Sequence, residues 1–145
     1  MNTLTIAVAL VVAALAASPG QSRVALLTGR WTAQFDGHTF VRLDLKAVDG
    51  TFTGGLSLGD VEVDKQGALR RVGDAPRELR PILDFTEGDS TVTFSRKDVD
   101  ETDRFELRLL AGGQAQLKML LSEGTLKELA ASGIPDPKPF VLTKQ

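Results

Sequence analysis

The feature that most constrains this chain is a two-residue alternation of apolar and polar side chains, which begins near residue 30 and recurs as far as residue 121. In its first segment, Trp31, Ala33 and Phe35 alternate with polar residues. Such alternation is typical of β-strands that place one face against a core and the other in water. Asp-Gly pairs at 36–37 and 49–50 predict tight hairpin turns between strands. The chain is therefore predicted to be all-β.

Strand-like segments recur about every 8–12 residues, which is the spacing of β-barrels and β-sandwiches. Because most connections are short turns, sequential strands should pair, and closing the sheet removes its edges. We predict an eight-stranded antiparallel up-and-down barrel, with a β-sandwich as the alternative. A short helix is predicted at 125–131, with Ser122 as its N-cap and Gly133 at its end. The apolar segment 140–142 is predicted to return as a last edge strand or clasp. The polar region 65–80 is predicted to form a lid or a crossing loop.

The N-terminal segment is uncharged and apolar from residue 4 to residue 17. It is shorter than the roughly 20 residues of a membrane span and has the length of a secretory signal core. Small residues at 14–16 form a cleavage motif before Ala17. We predict a signal peptide at 1–16, a single domain at 17–145 and export to the bacterial periplasm or the exterior, with no membrane span after cleavage. A retained N-terminal anchor is the alternative.

Composition excludes several classes of function. The chain has no Cys and one His, so a His/Cys metal site is excluded. The net charge is −2 with both signs interspersed, unlike the basic stripe of a nucleic-acid-binding protein. His38 follows a turn and is interpreted as a surface residue, and the acidic segment 98–103 as a solvated loop. With no nucleophile or nucleotide motif present, we expect no enzyme activity, cofactor or metal.

Two short motifs are similar to a known group of small secreted barrels. The Gly-x-Trp of residues 27–32 and the Gly-Thr-Phe-Thr-Gly of residues 50–54 resemble the opening of calycins, the group of lipocalins, fatty-acid-binding proteins and avidins. The resemblance implies an up-and-down barrel with Trp31 at one end. Avidin's biotin-binding residues do not carry over, because Ala33 stands where avidins have Asn and Leu56 where they have Tyr. Biotin is therefore not an expected ligand.

The sequence predicts a non-catalytic binding protein that holds a small apolar or amphipathic ligand inside the barrel. The alternative is a protein-binding module, such as a periplasmic protease inhibitor of small-barrel type that inserts residues 17–22 into an enzyme. The oligomeric state is left open. Barrel-lining ligand contacts are predicted at Trp31, Phe35, Leu43, Phe52, Leu56, Phe94, Phe105 and Leu107. Four arginines in the 65–80 region are predicted to receive an anionic head group, namely Arg70, Arg71, Arg77 and Arg80.

Overall fold

The computed structural model describes residues 23–97, 99, 101–136 and 138–145. The predicted signal peptide, its cleavage point and the segment 17–22 lie outside the described residues. A 3-10 helix (Arg23–Leu27) precedes the first strand, and one α-helix, α1 (Glu123–Ala131), precedes the last. The strands are β1 (Gly29–Phe35), β2 (His38–Val48), β3 (Thr51–Leu58), β4 (Val61–Val63), β5 (Leu69–Val72), β6 (Arg80–Glu87), β7 (Thr91–Lys97), β8 (Thr102–Leu109), β9 (Gln114–Leu120) and β10 (Phe140–Lys144).

Eight of these strands close into one antiparallel barrel in the order β1-β10-β9-β8-β7-β6-β3-β2. The predicted barrel is therefore confirmed, and the sandwich alternative is not what forms. Two strands take different places from those the sequence suggested. The segment Val61–Val63 lies outside the barrel, where β4 pairs with β5 in a separate two-stranded sheet. The barrel is instead completed by β10, which pairs with both β9 and β1.

The inward rows of neighbouring strands meet in register, and this pairing builds the core. Trp31 lies opposite Leu43, Leu43 lies opposite Leu56, and Phe94 lies opposite Phe105. These side chains are all at most 2% exposed. Because side chains alternate between the two faces of a strand, each such register sends a whole apolar row inward.

Two irregularities add inward side chains. Between β1 and β2 the register skips Phe40, so that this residue is the extra one of a bulge. Phe40 is buried together with its neighbour Val41. The centroids of the Phe40 and Phe140 rings are 5.2 Å apart in an edge-to-face arrangement. In β6, Asp84 adopts a positive φ of 57° where the register with β7 shifts. The shift accompanies a buried contact between the rings of Phe85 and Phe94, whose centroids are 5.9 Å apart.

The barrel consists of two meanders joined at two weakly paired seams. Strands β1–β3 form one meander and β6–β9 with β10 form the other. At the β3/β6 seam two residue pairs are in register, Gly55 with Pro81 and Leu56 with Arg80. At the β1/β10 seam the pairs are Trp31 with Lys144 and Thr32 with Thr143. Both seams are therefore short compared with the pairing inside each meander.

One end of the barrel is closed by the 3-10 helix. The indole Nε1–H of Trp31 donates a hydrogen bond to the Leu27 carbonyl at 2.8 Å, and Leu27 itself is fully buried. The Lys144 ammonium lies 5.5 Å from the centre of the indole ring and donates to the Leu26 carbonyl at 3.2 Å. Trp31 therefore ties the first strand, the last strand and the 3-10 helix together.

The opposite end carries the β4–β5 hairpin and the return segment to β6, which together include the predicted lid region. Val72 and Ala75 are buried, and the Ala75 N–H donates to the Thr39 carbonyl at 2.7 Å. At the hairpin tip, a Cβ on Gly67 would lie 3.0 Å from the Asp136 carbonyl oxygen. The region 65–80 is thus folded onto the barrel and touches the segment that leads into β10.

Helix α1 confirms the predicted helix and its cap. The Ser122 hydroxyl accepts a hydrogen bond from the Thr125 N–H at 3.2 Å, which satisfies one of the amides left free at a helix start. No residue of α1 is buried, so the helix contributes little to the core.

Replacing Ser122 by alanine is therefore expected to loosen α1 without weakening the barrel. Loss of an N-cap costs about 1 kcal/mol, and the cost should appear as faster amide hydrogen exchange within α1. The midpoint of urea unfolding, followed by Trp31 fluorescence, should stay where it is in the parent protein. A parallel fall of that midpoint would show that α1 is coupled to the barrel.

Candidate functional site

The structure places the predicted ligand contacts in the barrel interior, where they pack against one another. Seven of the eight are buried and Phe35 is partly buried, and all belong to one hydrophobic cluster. A row of rings crosses it: the Phe52 and Phe85 centroids are 5.8 Å apart, and those of Phe94 and Phe105 are 5.7 Å apart. These are the separations of aromatic rings in direct contact. The barrel interior around these residues is thus occupied by the protein's own side chains.

The four predicted head-group arginines are exposed, and the structure does not gather them into one site. Arg71 pairs with Glu62 across the β4–β5 hairpin at 3.1 Å. Arg77 lines a groove on the outer face of β1 and β2 together with Arg30 and Arg42. Arg80 lies at the start of β6 in a different groove, and Arg70 is the exposed extra residue where the β4–β5 register shifts.

A groove opens at the barrel surface beside Arg80. It lies where pairing between β3 and β6 stops, and we call it the seam groove. Its volume is about 530 Å³, which falls in the range of small-molecule sites. The residues that define it are Leu56, Ser57, Leu58, Glu78, Arg80 and Arg96.

Arg96 gives the seam groove a buried cationic group. It continues the inward row of Val92 and Phe94 on β7 and is 9% exposed. Its guanidinium carbon lies 5.7 Å from the centre of the Phe105 ring. Its Nη2–H donates to the Asp103 carboxylate at 3.1 Å, across the register pair that these two residues form between β7 and β8.

The Nε–H of Arg96 has no hydrogen-bond partner among the residues that the structure describes. Leaving a buried donor unsatisfied costs about 1–3 kcal/mol, and more when the group is charged. The Ser57 hydroxyl at the groove wall is already satisfied, because it donates to the Pro76 carbonyl at 2.6 Å. The seam groove is therefore lined by apolar and polar residues together, and it includes Arg96, whose buried Nε–H has no partner among the described residues.

Arg96 and Asp103 did not emerge as site residues from the sequence, although their positions carried a signal. Arg96 follows Val92 and Phe94 at two-residue spacing, and Asp103 precedes Phe105 and Leu107 in the same way. Alternation alone assigns both charged residues to inward rows. Charged residues are almost never fully buried unless they are paired. Two opposite charges at the ends of neighbouring inward rows therefore indicate a buried ion pair.

The remaining polar candidates offer less. His38 is exposed, and its Nδ1 lies 3.2 Å from the Asp74 carboxylate rather than near Asp36. Within the described ranges, no group of three or more His, Cys, Asp or Glu residues is arranged to hold a metal ion. Asp98 and Asp100 of the acidic segment lie outside those ranges. In the same part of the chain, no helix has the length and hydropathy needed to cross a membrane.

No protein-family model matches the chain, and no match was found among the curated proteins or the solved structures.

Proposed function

We propose that the protein is an exported, non-catalytic binding protein that takes a small amphipathic ligand at the seam groove. The observation that carries the proposal is the groove itself, where Leu58, Leu79 and Pro81 line the same opening as the buried Arg96. A small-molecule site usually has mostly apolar walls and a few polar groups that converge on the ligand. The uncharged apolar leader supports export.

The groove, rather than the centre of the barrel, is where the ligand binds in this proposal. The interior is packed with aromatic and aliphatic side chains, so an apolar tail could enter only by displacing them. The seam groove needs no such displacement. The calycin relationship is part of the same proposal, and it is supported by the up-and-down strand order and by Trp31 at the end closed by the 3-10 helix.

Native mass spectrometry of the protein purified from its own host is the test. We expect an additional small-molecule mass that is lost on denaturation, and a rise in unfolding temperature when decanoate is added to the delipidated protein. Ligand at 100 times its Kd stabilises the folded state by about 2.7 kcal/mol.

A pair of variants locates the site. Leu58→Trp should fill the seam groove and abolish the thermal shift, whereas Leu83→Trp places the same ring on an exposed outward position and should leave the shift unchanged. A clean protein mass, with no shift from decanoate or decanol, would overturn the proposal.

A protein-binding module is the second candidate, and the filled interior favours it. A barrel whose core is complete without a ligand is a rigid scaffold for surface contacts. The segment 17–22, through which such a module would engage a protease, lies outside the described residues. A negative result in both ligand measurements would make this the leading function.

A further inference from the structure

We infer that the polar end of the ligand is a single carboxylate and that the Nε–H of Arg96 binds it. This inference rests on the proposed function and names the chemical class of ligand for the same groove. The site has not been assigned by the sequence pattern, which pointed to the exposed arginines of the 65–80 region.

Arg96 has one buried N–H donor that the described residues leave unused. A guanidinium has five N–H donors and no acceptor, and Asp103 takes one at Nη2. The Nε–H has no partner in the described part of the chain. A buried ion pair is often no more stabilising than apolar residues of similar volume. The stability of the fold therefore does not explain why Arg96 is buried with one donor unused.

Arg96 is held in place before any ligand arrives. The Phe105 ring lies beneath the guanidinium at 5.7 Å, and Phe94 stacks on Phe105 behind it. Asp103, which is partly buried, fixes the guanidinium from the neighbouring strand. A fixed donor loses little entropy on binding, and a hydrogen bond to an ionised acceptor is roughly twice as strong as a neutral one.

The charges at the groove balance. Arg80 and Arg96 bring two positive charges, and Glu78 and the Arg96 partner Asp103 bring two negative charges. Each additional negative charge on a ligand would meet these two carboxylates, and like charges repel more strongly where water is partly excluded. The groove therefore suits a singly charged carboxylate better than a doubly charged phosphate monoester.

The experiment measures the Kd of decanoate, decanol and decyl phosphate for the full chain by isothermal titration calorimetry. We expect decanoate to bind at least about ten times more tightly than either of the other two. The double variant Arg96→Met/Asp103→Asn removes the donor without leaving an unpaired carboxylate, and it should bring decanoate to the affinity of decanol.

The matched control is Arg71→Met/Glu62→Gln, which removes the exposed pair that has the same 3.1 Å separation on the β4–β5 hairpin. It should leave all three Kd values unchanged. Urea unfolding shows whether the Arg96 variant is folded. If it is not, Arg96→Lys retains the positive charge without the Nε donor, and it should show the same loss of affinity for decanoate.

The outcomes separate the inference from the proposed function. Equal binding of decanoate and decanol, unaffected by the Arg96 variants, would overturn the carboxylate assignment and leave the binding function standing. Tighter binding of decyl phosphate than of decanoate would overturn the single-charge argument. Binding of none of the three would overturn both.

Discussion

Replacing Trp31 by alanine is expected to lower the free energy of unfolding by about 3–5 kcal/mol, the range for truncation of a large buried aromatic side chain. Trp31 is 1% exposed, and it joins the 3-10 helix, β1 and β10. The substitution removes buried area, the hydrogen bond to the Leu27 carbonyl and the ring beneath Lys144. Equilibrium urea unfolding, followed by far-ultraviolet circular dichroism, measures the loss.

Trp31→Phe separates the packing from the polar contacts. It keeps most of the buried ring but leaves the Leu27 carbonyl without its donor, so a smaller loss of about 1–2 kcal/mol is expected. Equal losses in the two variants would show that the hydrogen bond, and not packing, dominates. A loss below about 1 kcal/mol for Trp31→Ala would contradict the role given to this residue in closing the barrel.

Replacing Gly54 by alanine is expected to cost about 3 kcal/mol or more. Gly54 has a φ of 154°, a conformation that residues with a side chain rarely adopt. A Cβ at this position would also lie far inside van der Waals contact with the Asp44 carbonyl oxygen on β2. Because that atom belongs to the backbone of a paired strand, the sheet itself must shift to relieve the overlap. The urea midpoint of the variant measures the cost.

Gly112→Ala is the matched control. Gly112 has a φ of 73°, but a Cβ there would meet no atom within 4 Å. The control measures the cost of a side chain at a positive φ without steric overlap, about 1–2 kcal/mol. If both variants lose the same stability, the close approach of β3 to β2 at Gly54 has no energetic consequence and the argument fails.

The fold was accessible from the sequence because alternation and turn chemistry act locally. The inward rows of Trp31 and Leu43 follow from two-residue spacing, and the Asp-Gly turns start the pairing of β1 with β2 and of β2 with β3. The bulge at Phe40 then shifts the register between β1 and β2 by one residue. Adjacent glycines inside a strand, as at 54–55, are typical of a bulge or a sharp bend, and here the register between β2 and β3 runs through them without the shift of a bulge. Gly54 instead permits a close approach of two strands, which depends on the partner strand and cannot be deduced from local spacing.

The site was less accessible for the same physical reason. The seam groove exists because β3 and β6 pair over two residue pairs and then separate, and that separation depends on residues far apart in the sequence. The arginines of the 65–80 region are close in sequence, yet the hairpin and return segment distribute them over different grooves. Arg96 could have been found, because it is a charged residue at an inward position of a regular strand.

The two seams also imply an order in which the barrel assembles. Within each meander, pairing joins strands that are neighbours in sequence, with β10 added after α1, whereas the β1/β10 seam joins residues such as Trp31 and Lys144 at opposite ends of the domain. Contacts between distant residues require the closure of long loops and form slowly. The two sheets should therefore form early and dock late. Amide hydrogens at the seams should exchange with solvent after local openings of the native state that cost less free energy than openings elsewhere in the barrel. The β1/β10 seam is then the part of the barrel that is completed last in folding and opened first by thermal motion, because the β3/β6 seam joins residues much closer in sequence, such as Leu56 and Arg80.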